Sequence, residues 1–459
     1  MKGNMLVRSL TLGQVVFLGL AWNNPMVFFA TYGIATDTSQ GLLASAYVIA
    51  FLAILFTAFS YGKMAKAFPI SGSAYTYTQK SMNPGLGFIV GWTILLDYLL
   101  TPLITCLMST VFLSAQFPEV PAFVWILILN VGMTVISILG INLSASVSKI
   151  FVVVQIIFIA VFSVLTIKSL WGGMGTSTLI SAVPFINPQV SLPVVLAGAS
   201  LLCFSFLGFD SVTTLSEETI KPEKNIPKAI MLIMLIIGVM YIGAAYLSEL
   251  IHQGIVFKDT DSAALELVKV VGGNLFSSIF ITVMIVANFT SGVAAVSSVS
   301  RVMYVMGRDS VLPKKIFAYI HPRYKTPFNS IIVVGLISLL AIVMSLDTAI
   351  TFINFGALIA FTFVNLSVIA HYYVRQRRRS FKETTQYLIL PLIGAGFIMW
   401  LWSYLALNAL ILGCSWVACG LIYLIFLTKF FRNKLPEFNF DETVIPIDHS
   451  SNKESAIST

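Results

Sequence analysis

The feature that most constrains this chain is the recurrence of uncharged apolar stretches of about twenty residues, each long enough to cross a bilayer as a helix. Hydrophobic residues make up 58% of the 459 residues and charged residues only 10%, a balance that no soluble domain of this length maintains. The apolar windows give twelve expected spans, at 11–34, 42–62, 87–115, 122–141, 148–170, 192–215, 227–251, 274–300, 328–346, 349–372, 386–405 and 408–428. The expected fold class is therefore all-α and integral to a membrane. An even count puts both termini on one side. Lys2, Arg8, Lys63, Lys66, Lys80, Lys149, Lys221, Lys224, Lys228 and the run from Arg375 to Arg379 crowd the loops of one face, whereas Lys168, Lys258 and Lys269 alone occupy the other, so both termini are expected in the cytoplasm. The net charge of +8 is then loop charge, not the clustered basic face of a nucleic-acid binder. Met1 to Arg8 runs into the first apolar stretch without a small-residue cleavage site, so that stretch is expected to remain in the protein. The segment 431–459, rich in Asn, Asp, Ser and Glu, cannot form a core and is expected to be disordered.

Against this background Asp97 demands a reason. It lies about ten residues inside an uncharged segment, roughly 15 Å deep at ~1.5 Å per residue, where a charge costs at least ~2.5 kcal/mol and usually marks a polar path for a substrate or ion. Asp210 is the one other acid expected at comparable depth. Two spans also carry helix-breaking chemistry at mid-membrane: Gly19-Leu-Ala-Trp22-Asn23-Asn24-Pro25 in the first, and Phe206-Leu-Gly208-Phe209-Asp210 in the sixth. Unwound backbone at that depth is tolerated only where it lines a cavity or protein. Interruptions in spans one and six, five apart, predict two inverted five-span repeats, 11–170 and 192–372, with a site at their interface. Residues 1–10 then form a cytoplasmic N-terminus and 386–428 two further helices.

The stretch Ala67-Phe-Pro-Ile-Ser-Gly-Ser-Ala-Tyr75-Thr-Tyr77, followed by Gly87-Phe-Ile-Val-Gly-Trp92, resembles the loop after span two in amino acid–polyamine–organocation permeases. So does Phe206 to Glu218 with Ile226-Pro-Lys-Ala-Ile230. Within that superfamily the chain is most similar to the bacterial putrescine importers, on Gln79 to Pro84, Phe117 to Pro121, Tyr304 to Asp309, His321-Pro322, Thr326-Pro327 and Ile353 to Ala357. The resemblance implies a proton-driven importer in the bacterial cytoplasmic membrane, with a broken-helix 5+5 core, no cofactor and no enzymatic activity. It points to Trp22, Asn23, Asn24, Asp97, Tyr98, Phe206, Gly208, Phe209 and Asp210 as substrate-binding positions, and to Asp97 and Asp210 as proton-coupling groups. A substrate ammonium needs a carboxylate, helix-end carbonyls or an aromatic face, and these segments carry acids and rings. The alternative for each aspartate is that it merely accepts hydrogen bonds from frayed amides.

Three positions set this chain apart. Where putrescine importers carry an aspartate after the first break, this sequence has Ala30, which strengthens an amino-acid importer or exchanger as the alternative. Gln155 stands where some related permeases place a lysine that substitutes for sodium, which argues against that lysine mechanism here. Glu249, near the outer end of span seven, is expected to be a solvated interfacial acid. Tyr75 and Tyr77 are expected either to gate the inner side or to belong to an interfacial aromatic belt. Arg301, and Arg308 with Asp309, are expected in cytoplasmic ion pairs, and Arg375 to Arg379 at anionic headgroups. Cys106, Cys203, Cys414 and Cys419 read as packing residues, without disulfide or metal roles. The partners implied are a cationic or zwitterionic small molecule, protons and membrane lipids. No HExxH helix, Walker loop or nucleophile elbow is present, so a membrane enzyme or an ATP-driven pump has no support, and a non-transporting sensor is the remote alternative.

Overall fold

The computed structural model describes residues 8–428 except 71, 141–144, 217, 253–256, 258, 309–310 and 325, and leaves aside the side chains of 145–148, 305, 308 and 427. The expectations for 1–7, for the 431–459 tail and for the Arg308–Asp309 pair lie outside the described residues. In chain order the helices are α1 (Leu12–Asn23), α2 (Val27–Thr38), α3 (Leu43–Ala67), α4 (Ser73–Ser81), α5 (Pro84–Gln116), α6 (Ala122–Leu139), α7 (Ala145–Trp171) and α8 (Leu192–Leu202). There follow α9 (Pro222–His252), α10 (Ala263–Arg308), α11 (Lys314–Phe317), α12 (Phe328–Ser338), α13 (Leu346–Val368), α14 (Phe381–Thr384), α15 (Leu390–Trp402) and α16 (Leu407–Leu427). Among the described residues no strand forms.

Ten helices are long and apolar enough to cross a membrane, and α1 with α2, bent by 43°, makes an eleventh. The segment expected as a span at 328–346 is a shorter apolar helix, Phe328–Ile342. Its last turn, Leu339–Ile342, tightens to 3₁₀, and the gain in rise per residue gives this segment a length of about 25 Å. One long helix also proves double: α10 bends at Gly273, whose φ of 74° is open to glycine. The sequence reading did not anticipate α4, a short helix between the second and third spans.

Burial separates centre from periphery. The apolar window of α5 is 83% buried, whereas that of α16 is 22% buried, so α5 is a core helix and α16 presents its side chains outward. Accordingly Cys106 and Cys203 pack in the interior, but Cys414 and Cys419 on α16 are exposed and pack against no protein core. Helix α5 lies between α13 and α10, while α3 runs along α9.

Two expected surface charges turn out to hold helix ends. Glu249 is 5% exposed, and its carboxylate accepts the amides of Leu43 and of Ala44, the latter at 3.2 Å. Helix α3 begins at Leu42, which has no side-chain acceptor for the first free N–H groups, so a carboxylate from α9 satisfies them and complements the positive helix end. Glu249 is therefore a third buried acid, not a solvated one. Arg375 donates to the carbonyls of Lys80 (2.6 Å) and Met82 (3.0 Å), closing the C-terminal end of α4, while Arg378 and Arg379 stack over Tyr372 and Tyr373. A guanidinium fork finds orphan helix carbonyls a better partner than solvent.

Replacing Glu249 by Ala strands buried amides, and is expected to lower stability by about 1–3 kcal/mol. Chemical denaturation of the purified protein in detergent, compared with Glu119→Ala at an exposed loop acid, measures the difference.

Candidate functional site

The first break is made by Asn24 and Pro25. Asn24 adopts a left-handed conformation (φ 55°) that ends α1, and Pro25 brings no N–H to continue it. At the second break α8 tightens into a 3₁₀ turn, Cys203–Phe206, opens at Leu207 to Asp210, and resumes as 3₁₀ turn Ser211–Leu215. Gly208 there has φ 108°, and a Cβ on it would stand 2.4 Å from the Trp22 ring and 3.2 Å from Asn23 Cα. The two breaks thus touch, and a side chain at 208 would push them apart.

Polar side chains satisfy the backbone that unwinding exposes. Asn23 donates to the Leu207 carbonyl (2.8 Å), directly joining the breaks, and accepts from the Tyr241 hydroxyl (3.2 Å). Asn24 donates to Asn288 Oδ1 (2.6 Å), and Ser291 donates to the Trp22 carbonyl (3.1 Å). From α13, Asn354 donates to the Ser200 and Leu201 carbonyls at 3.1 Å each, which α8 leaves free as it ends. The side chains of Asn23 and Asn24 are thereby engaged in cross-ties. Asn288, Ser291, Tyr241 and Asn354 were missed by sequence reasoning, although polar residues inside apolar spans eight and ten were a readable signal.

Asp97 and Asp210 are 8% and 5% exposed and lie within electrostatic reach of each other. Two negative charges this close in an apolar interior repel strongly, and an ammonium or a proton relieves that repulsion. Thr101 donates to the Asp97 carbonyl (2.8 Å) and lies 3.4 Å from its Oδ1, while Thr213 Oγ1 donates to the Asp210 carbonyl (2.7 Å). Gly356 lets α13 approach α5 closely at this level, since a Cβ there would meet the Thr93 carbonyl at 2.6 Å.

Aromatic rings surround the acids. Trp22 meets Tyr98 edge-on at 5.9 Å. Phe206 packs against Tyr241 (5.7 Å) and Tyr47 (6.2 Å), whereas Phe209 faces Tyr61 (5.3 Å) and Phe361 (5.4 Å). The two phenylalanines therefore belong to different walls. Tyr77, fully buried on α4, lies within reach of Asp210, so an aromatic belt at the lipid interface does not describe it. Tyr75 packs over Gly91, where a Cβ would come within 2.6 Å of its ring.

A cavity of about 250 Å³ opens beside the two breaks, touching them at Trp22 and Ser211 and lined further by Gln155, Thr214, Glu218 and Arg301. Beside it Ser9 and Leu10 donate their amides to the Glu218 carbonyl, both at 2.9 Å, tying the chain's start to the end of span six. On the opposite side Tyr32 meets His252 Nδ1 (3.3 Å) and the Phe257 ring (6.0 Å), and Gly33 lies so close to the Thr260 carbonyl that a Cβ would stand 1.8 Å from it. Among the described residues, that side is closely packed around Tyr32 and Gly33.

Opened spans, buried acids and a cavity beside them are the parts of a membrane carrier. The amino acid permease family pattern matches residues 13–424, and the chain belongs to that family. The low-affinity putrescine importer PlaP of Escherichia coli K12 is 44% identical over 436 residues, covering 94% of this chain and 96% of its own. Similarity extends to the methylthioribose transporter of Bacillus subtilis, 26% identical over 93% of this chain and 95% of its own. The branched-chain amino acid permease BcaP of Bacillus subtilis is 27% identical over 79% of this chain and 81% of its own.

Gly208→Ala is expected to reduce transport at least tenfold, because both its left-handed backbone and the Trp22 contact oppose a methyl group. Gly396→Ala, which meets nothing within 4 Å, is expected to transport normally. Initial uptake rates at matched membrane expression separate the two.

Proposed function

We propose that this protein imports a small organic cation, putrescine first, across the bacterial cytoplasmic membrane, driven by the proton gradient and by alternating access. The observation that carries this reading is the pair Asp97 and Asp210, buried beside two opened helices, in a chain 44% identical to a putrescine importer. A carboxylate in low dielectric recognises an ammonium strongly, and the faces of Trp22, Tyr98 and Phe209 supply cation–π surface around it. The segments Asn23–Asn24 and Gly208 shape the backbone at the site, and Asp97 with Asp210 exchange a proton between the two sides. Tyr75 and Tyr77 gate the inner side.

In this reading twelve spans cross the membrane, ten of them as inverted repeats 11–170 and 192–372, with 386–428 appended. Both termini are cytoplasmic. The cavity past Gln155 and Glu218 is then the release route, and the Tyr32–His252–Phe257 contacts form the closed outer side. Relatives that are transporters support a carrier over an enzyme. A second reading, import or exchange of an amino acid, is favoured by one position: Ala30, 1% exposed on α2, supplies no counter-charge for a second ammonium.

Radiolabelled putrescine uptake into proteoliposomes under an imposed pH gradient, competed with cadaverine, ornithine and neutral amino acids, tests the assignment. Saturable putrescine uptake is expected, reduced at least tenfold in Asp97→Asn and Asp210→Asn. Flux of an amino acid with none of putrescine transfers the assignment to the second reading. Unaltered dependence on the pH gradient in both variants removes the proton-coupling role.

A further inference from the structure

The 3₁₀ turn after the second break has two faces that serve different neighbours. Its period of three places Ser211 and Thr214 on one face, where both line the cavity with Trp22 and Gln155. Asp210 and Thr213, also three apart, point to the other face, toward Tyr77 of α4. On that second face four buried hydroxyls gather from three helices: Tyr61 of α3, Ser73 and Tyr77 of α4, and Tyr98 of α5, none more than 4% exposed. Tyr61 and Tyr98 both face Ser73, and all three tyrosines lie within reach of Asp210. The Tyr61 and Tyr77 rings are 6.1 Å apart.

None of these four oxygens meets strict hydrogen-bond geometry, although Ser73 neighbours both Tyr61 and Tyr98, and Thr213 neighbours Tyr77. Burying a hydroxyl costs more than burying the phenylalanine or alanine that would fill the same space, so four of them gathered beside two carboxylates point to a polar purpose. By contrast Tyr47, buried in the other wall, has Thr31 and Ser205 at 3.3 and 3.4 Å. A hydroxyl is both donor and acceptor, so a row of them with water between can take up a proton at one oxygen and release another from the next, leaving each group neutral afterwards.

We propose that Tyr98, Tyr61, Ser73 and Tyr77 form a hydrated proton route from the Asp97–Asp210 centre toward α4, separate from the cavity through which the substrate leaves. The unwound end of span six divides the two: substrate passes its Ser211–Thr214 face and the proton its Asp210–Thr213 face. Neither traveller then crosses the other's path. The four hydroxyls are positioning and relay groups, and the proton is returned to bulk water beyond α4. This inference rests on the proton-coupled import proposed above.

The test uses the full chain in proteoliposomes and two readouts. Substrate-dependent proton entry is followed with a trapped pH dye, and putrescine counterflow at equal pH on both sides follows substrate exchange without net proton release. In Tyr61→Phe, which keeps the ring, proton entry and net uptake are expected to fall at least tenfold with counterflow kept within twofold. Ser73→Ala, a smaller change, is expected to show the same split and serves if Tyr61→Phe does not fold. Ser211→Ala with Thr214→Val, on the cavity face, is expected to change counterflow and net uptake together. Equal loss of both readouts in Tyr61→Phe and Ser73→Ala would identify the hydroxyls as gate packing and overturn the route, as would no loss in either. If the unaltered protein takes up putrescine without proton entry, the coupling itself fails, and that result is distinct from failure of the route.

Discussion

The structure depends on satisfying main-chain polar groups where two helices come apart inside an apolar interior. An unwound segment there has no water to fall back on, so each freed N–H or carbonyl must find a protein partner or line a cavity. Asn23 supplies the decisive bond, since its amide reaches the Leu207 carbonyl and holds the two openings against each other. Tyr241, Asn288, Ser291 and Asn354 complete the set from three other helices. Because these ties come from α9, α10 and α13, the openings cannot move relative to each other without disturbing the scaffold.

The same physics recurs away from the centre. Glu249 accepts from the amides at the start of α3, and Arg375 donates to the carbonyls at the end of α4, each reaching from a helix distant in sequence. Helix ends in this fold, buried at α3 and exposed at α4, recruit charges that a reader of the sequence would leave to solvent or lipid. Packing of α3 along α9 is therefore fastened at one end by an acid, and the short α4 is held beneath the centre by a cation from the extension of α13. Such fastening matters because α4 carries the tyrosine that faces Asp210.

Family membership and the opened spans agree on a carrier, and the rings divide its interior into two walls. Phe206 with Tyr47 and Tyr241 forms one; Phe209 with Tyr61 and Phe361 forms the other. Only Leu207 and Gly208 lie between these rings, which shows how little opened chain is needed to send one ring to each wall.

Long apolar runs, the depth of Asp97, and the breaks at Asn24-Pro25 and Gly208 were legible in the sequence, because hydropathy, charge cost and backbone permission are properties of short stretches. The shortened helix at Phe328–Ile342 and the added helix α4 were not, since both depend on where neighbours allow a turn to end. Nor was the fate of Glu249, Arg375 or the asparagines: a polar residue in an apolar span announces that it needs a partner, but not which of many distant groups will answer. The chain by itself determined a helical membrane protein with two openings and a buried charge. Tertiary structure alone decided that those openings touch, which hydroxyls gather beneath them and where the Tyr32 end packs closely, because these follow from contacts between different helices, several of them far apart in sequence.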